Sequence, residues 1–207
     1  MTSHVLKRSD LRPGDVLLCI EREPSRSTQK IQRRIGLYTH AAIVVGRGRV
    51  ADATGVGISS ASLKDLVEWS QRIFVLRGWG LWTPAAVKQL KRFVRWAVAQ
   101  KGSFNFKGMR RAIAAREEHL GNIMDRLRDE NTPAPTHRKS RYFCSEFVVA
   151  CFADSGLIGD RARIVFKPDT YTPRMLIDDR LFGAPGGYIV RKGTSVPQDD
   201  PLLDLFH

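Results

Sequence analysis

Cys144 and His40 are the two residues of this 207-residue chain whose types and settings suit nucleophilic chemistry. Cys144 stands in Tyr142-Phe143-Cys144-Ser145-Glu146-Phe147-Val148-Val149-Ala150-Cys151-Phe152, after a loop marked by Pro133 and Pro135. Phe147, Val148, Cys151 and Phe152 recur on one helical face, so the stretch is predicted to be a helix. Cys144 then falls in its first turn, where unpaired backbone N–H groups and the positive end of the helix dipole favour an anion. Such a setting can bring a thiol pKa down from about 8.5 towards neutrality. A thiolate needs a base, and His40 heads an apolar strand, Ala41-Ala42-Ile43-Val44-Val45. Across the turn Gly46-Arg47-Gly48 runs a second strand, in which alternation puts Val50 and Asp52 on one face. A carboxylate there is placed to orient an imidazole. Each residue also has a plain reading: Cys144 as a small buried side chain, Asp52 as a solvated strand charge.

The surrounding elements must position this group. Leu11-Arg12-Pro13-Gly14-Asp15 reads as a turn, and Val16-Leu17-Leu18-Cys19-Ile20 as a buried strand with Cys19 in the core. Residues 22–34 are polar and basic and read as loop. Gly55 and Gly57 turn the chain into a short helix or turn around Leu63, and 72–77 returns as a strand. Thr83-Pro84 is an N-cap with proline at the first helical position. The helix it opens carries Lys88, Lys91, Arg92 and Arg95 opposite Leu90, Val94 and Val98, and Gly102 ends it. A second amphipathic helix is predicted over 107–130 and a linker over 131–140. A final strand at 188–190 precedes a polar, frayed tail over 191–207. The chain reads as one domain over 1–190 with a helical insert at about 107–139. Cys151 is assigned to the core.

Apolar residues make up 43% and charged residues 27%, values of a soluble globular protein. No run reaches the roughly 18 apolar residues of a membrane span, and the first ten residues lack the apolar segment of a signal peptide. Three cysteines, an odd number, suit a reducing compartment, so the expected location is the cytoplasm, with leaderless export as the alternative. The net charge of +13 favours anionic partners. The stripe of Lys88, Lys91, Arg92 and Arg95 is either a simple solvated face or a site for an anionic polymer or membrane surface. Neither CxxC nor HxxxH occurs, and there is no phosphate-cradling glycine loop or RNA-binding strand signature. No metal, cofactor or specific nucleic acid is therefore expected.

The order of these pieces resembles the circularly permuted NlpC-type papain-like family, which includes the YiiX-like and YaeF-like predicted amidases. The matching segments are Leu11-Arg12-Pro13-Gly14-Asp15-Val16-Leu17-Leu18, Thr39-His40-Ala41-Ala42-Ile43-Val44, and Val50-Ala51-Asp52-Ala53. They continue with Lys101-Gly102 through Phe106, Tyr142-Phe143-Cys144-Ser145-Glu146-Phe147-Val148, and Tyr171-Thr172-Pro173. The histidine strands precede the cysteine helix, as in the permuted group. The resemblance implies an α+β fold in which a small antiparallel sheet packs against helices. It further implies Cys144 as nucleophile, His40 as base and Asp52 as the residue orienting His40, at a position where YiiX-like proteins carry a glutamate. The backbone N–H of Cys144 would stabilise the oxyanion. The implied activity is hydrolysis of a peptide-like amide. The residue types fit an ester or thioester as well, so a lipid acyl hydrolase, an acyltransferase or a thioesterase stands as an alternative. A polyanion-binding or effector module stands as the non-enzymatic one.

Overall fold

The computed structural model describes residues 4–114 and 134–206. Six strands form one sheet: β1 (Val16–Glu21), β2 (His40–Gly46), β3 (Arg49–Thr54), β4 (Gly57–Ser62), β5 (Ser70–Arg77) and β6 (Ala184–Val190). Their order is β4-β3-β2-β1-β5-β6, with every neighbouring pair antiparallel. Among the described residues the helices are α1 (Arg26–Ile35), α2 (Leu63–Trp69), α3 (Pro84–Ala99), α4 (Phe106–Ala114), α5 (Cys144–Asp154), α6 (Ala162–Val165) and α7 (Pro173–Asp178). None of them is long and apolar enough to cross a membrane.

Burial explains why β1 lacks polar alternation: it lies at the middle of the sheet and both its faces are covered. Val16, Leu18 and Ile20 point into the larger core with α3, α5 and α7. Leu17 and Cys19 point into a smaller core under α2. Helix α5 is the centre of the larger core. Every residue from Cys144 to Ala153 is buried, the polar Ser145 and Glu146 included. Phe147 stacks on Phe93 of α3 with ring centroids 5.9 Å apart, and Cys151 is fully buried in the same cluster. Thr83 caps α3 through the Ala86 N–H, and Lys88, Lys91, Arg92 and Arg95 all lie on its exposed side. The Pro-Gly-Asp turn before β1 is anchored by its aspartate. Asp15 accepts a buried two-pronged contact from Arg77 at 3.0 and 2.7 Å and another hydrogen bond from the Arg12 N–H.

Several expectations need correction. Residues 22–34 are not all loop: Ser25 caps α1, whose Ile31 and Ile35 share one face. Gly55 and Gly57 do not lead straight to α2, because the small polar residues Ser59 to Ser62 complete an edge strand, β4. The second amphipathic helix is seen as α4, while residues 115–133 of its expected span, and of the insert, lie outside the described residues. The last strand begins at Ala184. The tail is tied to the sheet through Asp200, Leu202 and Phe206. Asp200 is buried and accepts hydrogen bonds from Tyr38 and Tyr188 at 2.9 and 3.0 Å and from Arg72, and Leu202 is buried beside it. Phe206 packs on His4, Phe74 and Tyr188. Replacing Asp200 with Ala would leave the Arg72 guanidinium buried without its charge partner. Denaturant unfolding should register a loss of about 3–5 kcal/mol; a change within 0.5 kcal/mol would mean the docked tail adds nothing to stability.

Candidate active site

The sheet register brings two of the polar side chains together. Asp52 of β3 pairs with Ala42 of β2, two residues beyond His40, so the Asp52 and His40 side chains are diagonal neighbours on one face. The His40 Nε2 lies 2.9 Å from the Asp52 Oδ2. Directly opposite Asp52, Ser59 of β4 donates its hydroxyl to Oδ1 at 2.8 Å. With both oxygens engaged, the carboxylate is fixed in orientation. The aspartate is short, but the β2–β3 register already delivers it to the ring, so no longer side chain is needed. Trp69 at the end of α2 packs edge-on to His40 with centroids 5.3 Å apart.

Helix α5 supplies the third. Its first residue is Cys144, and the helix packs against β2 and β3. The thiol is 3.8 Å from the backbone carbonyl oxygen of Thr39, the residue before His40. Cys144 is 5% exposed and lines one cavity of about 410 Å³ with His40, Asp52, Ser59, Trp69 and Phe104. Asp52 takes Nε2, which leaves Nδ1 of the imidazole for the sulfur. Burial opposes charge on His40. Hydrogen bonds to Asp52 and to Cys144, with the negative charges they can carry, outweigh it and push the His40 pKa up to about 10. A raised pKa of this kind stabilises the fold fully below about pH 6.5, and the contribution is lost as pH rises through about 10.

Polar ties behind the cysteine hold the start of α5. Glu146 is fully buried, accepts the Phe143 N–H at 3.2 Å and the Asn105 amide at 3.1 Å, and pairs with Lys139 at 2.9 Å. Although burial disfavours charge on Lys139, the carboxylates of Glu146 and Asp169 raise its pKa. Gly102 is required by the same junction, because a Cβ there would lie 1.4 Å from the Ser140 carbonyl oxygen. The other two thiols stand apart from this chemistry: burial pushes both Cys19 and Cys151 up in pKa.

Sequence reasoning singled out Cys144, His40 and Asp52, and the structure brings all three to one cavity. It missed Ser59, whose strand lacks the β-branched pattern that marks one, and the Thr39 carbonyl, which carries no side-chain signal. Lys88, Lys91, Arg92 and Arg95 do not line this cavity. The cations near it come instead from α1 and α4, as Lys30, Arg33, Arg34 and Arg110 line an adjoining cavity. Among the described residues, no group of three or more His, Cys, Asp or Glu side chains is arranged to hold a metal.

Residues 10–180 match the family described as permuted papain-like amidase enzyme, YaeF/YiiX, C92 family. The chain belongs to this family. It is similar to a protein of Escherichia coli (strain K12) named "Probable lipoprotein peptidase YaeF", with 26% identity over 163 residues. That alignment takes in 71% of this chain and 57% of the relative, so the chain corresponds to little more than half of that protein. No solved structure matches the chain.

If the Asp52 carboxylate holds His40 in its charged form, Asp52→Asn should lower the His40 pKa from about 10 by at least about one unit. Imidazole proton resonances followed through a pH titration would measure it; an unchanged value would mean that the 2.9 Å contact carries no electrostatic weight.

Proposed function

We propose that the chain hydrolyses an amide bond through a covalent thioester on Cys144, with His40 as proton carrier and Asp52 as the residue that orients it. The observation that carries this reading is the His40–Asp52 contact of 2.9 Å in the cavity that the Cys144 thiol also lines. Membership of an amidase family supports amide chemistry, and so does the peptidase name of the relative.

The proton of the Cys144 thiol passes to the His40 nitrogen not engaged by Asp52, which gives the charged His40 of the resting pair, and the sulfur attacks the carbonyl carbon of the substrate. The carbonyl oxygen becomes an oxyanion, and the Cys144 backbone N–H at the start of α5 is a donor directed at it. The tetrahedral adduct collapses as His40 gives its proton to the departing nitrogen, which breaks the C–N bond and leaves the acyl group on sulfur. Water then loses a proton to His40, attacks the thioester carbonyl and releases the carboxylic acid. The sulfur leaves beside the charged His40, which restores the starting pair. Asp52, itself held by Ser59, keeps the ring turned towards the sulfur and stabilises each imidazolium state.

A panel of chromogenic amides, with ester and thioester counterparts, tests the reading. Cys144→Ala and His40→Ala should each lower kcat on the order of a thousandfold or more. Cys151→Ala should keep most of the activity while losing about 1 kcal/mol of stability. Because the charged His40 must protonate the leaving nitrogen, kcat/KM should fall as pH rises through about 10, and the fall should move to lower pH in Asp52→Asn. Equal turnover by the wild type and Cys144→Ala across the panel would overturn the proposal.

A further inference from the structure

The mechanism leaves the cations of α3 without a role, and the fold brings two more to them. Lys88, Lys91, Arg92 and Arg95 lie on the exposed side of the helix. A Cβ on Gly46 would come within 3.9 Å of the Lys91 Cε, so that side chain lies over the β2–β3 turn, where Arg47 is exposed. Arg49, the first residue of β3, donates to the Ser60 carbonyl oxygen and, at 3.2 Å, to the Ser60 hydroxyl. A groove of about 530 Å³ runs between these elements. Arg49, Ser60, Lys91 and Arg95 line it, and Val45, Val94 and Val98 form its floor. No Asp or Glu lines it and none occurs in α3. Among the described residues, none of the six cations is in an ion pair.

This face is separate from the catalytic one. His40 begins β2 and Gly46 ends it, so the turn lies about 20 Å along the strand from the imidazole. Ser59 and Ser60 point to opposite sides of β4: the first holds Asp52, the second lines the basic groove. Exposed apolar side chains lie at the turn's end of the sheet. There the Gly14 N–H donates to the Val44 carbonyl at 2.8 Å, and the Trp82 ring rests against Gly14. The loop that carries Trp82 leaves Leu81 and Trp79 in solvent just ahead of α3, Trp79 with 63% of its surface exposed.

We propose that the outer side of α3 and the β2–β3 turn dock this protein on an anionic phospholipid bilayer. Lipid phosphates meet the six cations, the valine floor takes the glycerol end of a lipid, and Trp79 and Leu81 enter the headgroup layer. Charge complementarity argues for the anion. Six cations with no acid among them set up a positive field, and each Lys or Arg held near such a surface strengthens binding about fivefold. The apolar residues argue for a bilayer over a soluble polyanion. Tryptophan is favoured at the membrane–water interface, whereas no aromatic ring lines the groove to stack on a nucleic-acid base. Docked this way, the protein keeps the Cys144 cavity open to solvent. The proposal does not depend on the amidase reading.

Flotation with large vesicles tests the docking face, using phosphatidylglycerol mixed with phosphatidylcholine against phosphatidylcholine alone. The full chain should bind only the anionic vesicles, and binding should weaken steeply as salt is added. Replacing Lys88, Lys91, Arg92 and Arg95 together with Gln should lower the partition by about a hundredfold or more. Lys7, Lys64, Arg180 and Lys192, exposed on α2 and around β6, give a control matched in charge. Their replacement with Gln should cost less than about tenfold. Trp79→Ala should weaken vesicle binding several-fold and leave binding to poly(dT) unchanged. Iodoacetamide should label Cys144 equally fast in free and vesicle-bound protein. Equal losses from the two four-Gln variants would reduce the effect to net charge and overturn the proposal. So would vesicle binding that ignores salt or lipid charge, tighter binding to poly(dT) than to vesicles at equal phosphate, or protection of Cys144 on vesicles. All the substituted side chains are exposed, so melting temperatures should hold. The salt and lipid series on the unsubstituted protein decides the matter even where a variant fails to fold.

Discussion

The site exists only while the first turn of α5 stays docked against the entrance to β2. Cys144 and His40 lie far apart in the chain, and what joins them is a contact between a helix start and a strand start. The thiol sits 3.8 Å from the Thr39 carbonyl, one residue ahead of the imidazole. Everything around that contact restricts movement. The whole of α5 is buried, Phe147 is stacked on Phe93, and Ser145 donates to the Tyr171 carbonyl at 2.7 Å. Glu146 ties the N-terminal turn to Asn105 and Lys139. A buried charge pair of this sort costs desolvation, but here it fixes the angle at which the helix delivers Cys144.

The second constraint is sheet register. Moving β3 by one residue relative to β2 would turn Asp52 to the opposite face and separate it from His40. Ser59 on β4 holds the carboxylate from its other side, so three adjacent strands set one imidazole. The result is a His40 pKa pushed up to about 10 in spite of burial. Circular permutation leaves this arrangement intact, because sheet pairing and helix docking depend on neighbours in space and not on which segment comes first.

Much of this was legible in the sequence where local signals are strong. The continuous apolar run of β1, the Thr83-Pro84 start of α3 and the apolar face of Phe147, Val148, Cys151 and Phe152 after Cys144 each carry their own pattern. The placing of Asp52 on the strand beside His40 followed from alternation and a short turn. Other features had no local signal. Residues Ser59 to Ser62 are strand because β3 offers an unpaired edge, not because their side chains prefer it. Helix α1 was hidden by its basic residues, and only Ser25, Ile31 and Ile35 mark it. The tail looked free because its sequence is polar; the hydroxyls of Tyr38 and Tyr188 and the Arg72 guanidinium that receive Asp200 come from distant strands and loops. Charge was the least informative signal. The basic stripe that stands out in the sequence, on α3, lies apart from the cavity, while cations of α1 and α4 line the cavity adjoining it.

The central claim is that Cys144 is activated by His40, and alkylation kinetics test it most directly. Iodoacetamide at pH 7, with the modified positions read by peptide mass spectrometry, gives a rate for each of the three thiols. The account predicts that Cys144 reacts fastest and that His40→Ala, with its fold intact, slows it by about tenfold or more. Burial alone would make Cys19 and Cys151 slow, so the comparison between wild type and His40→Ala is the decisive one. A Cys144 rate that does not change when His40 is removed would contradict the account.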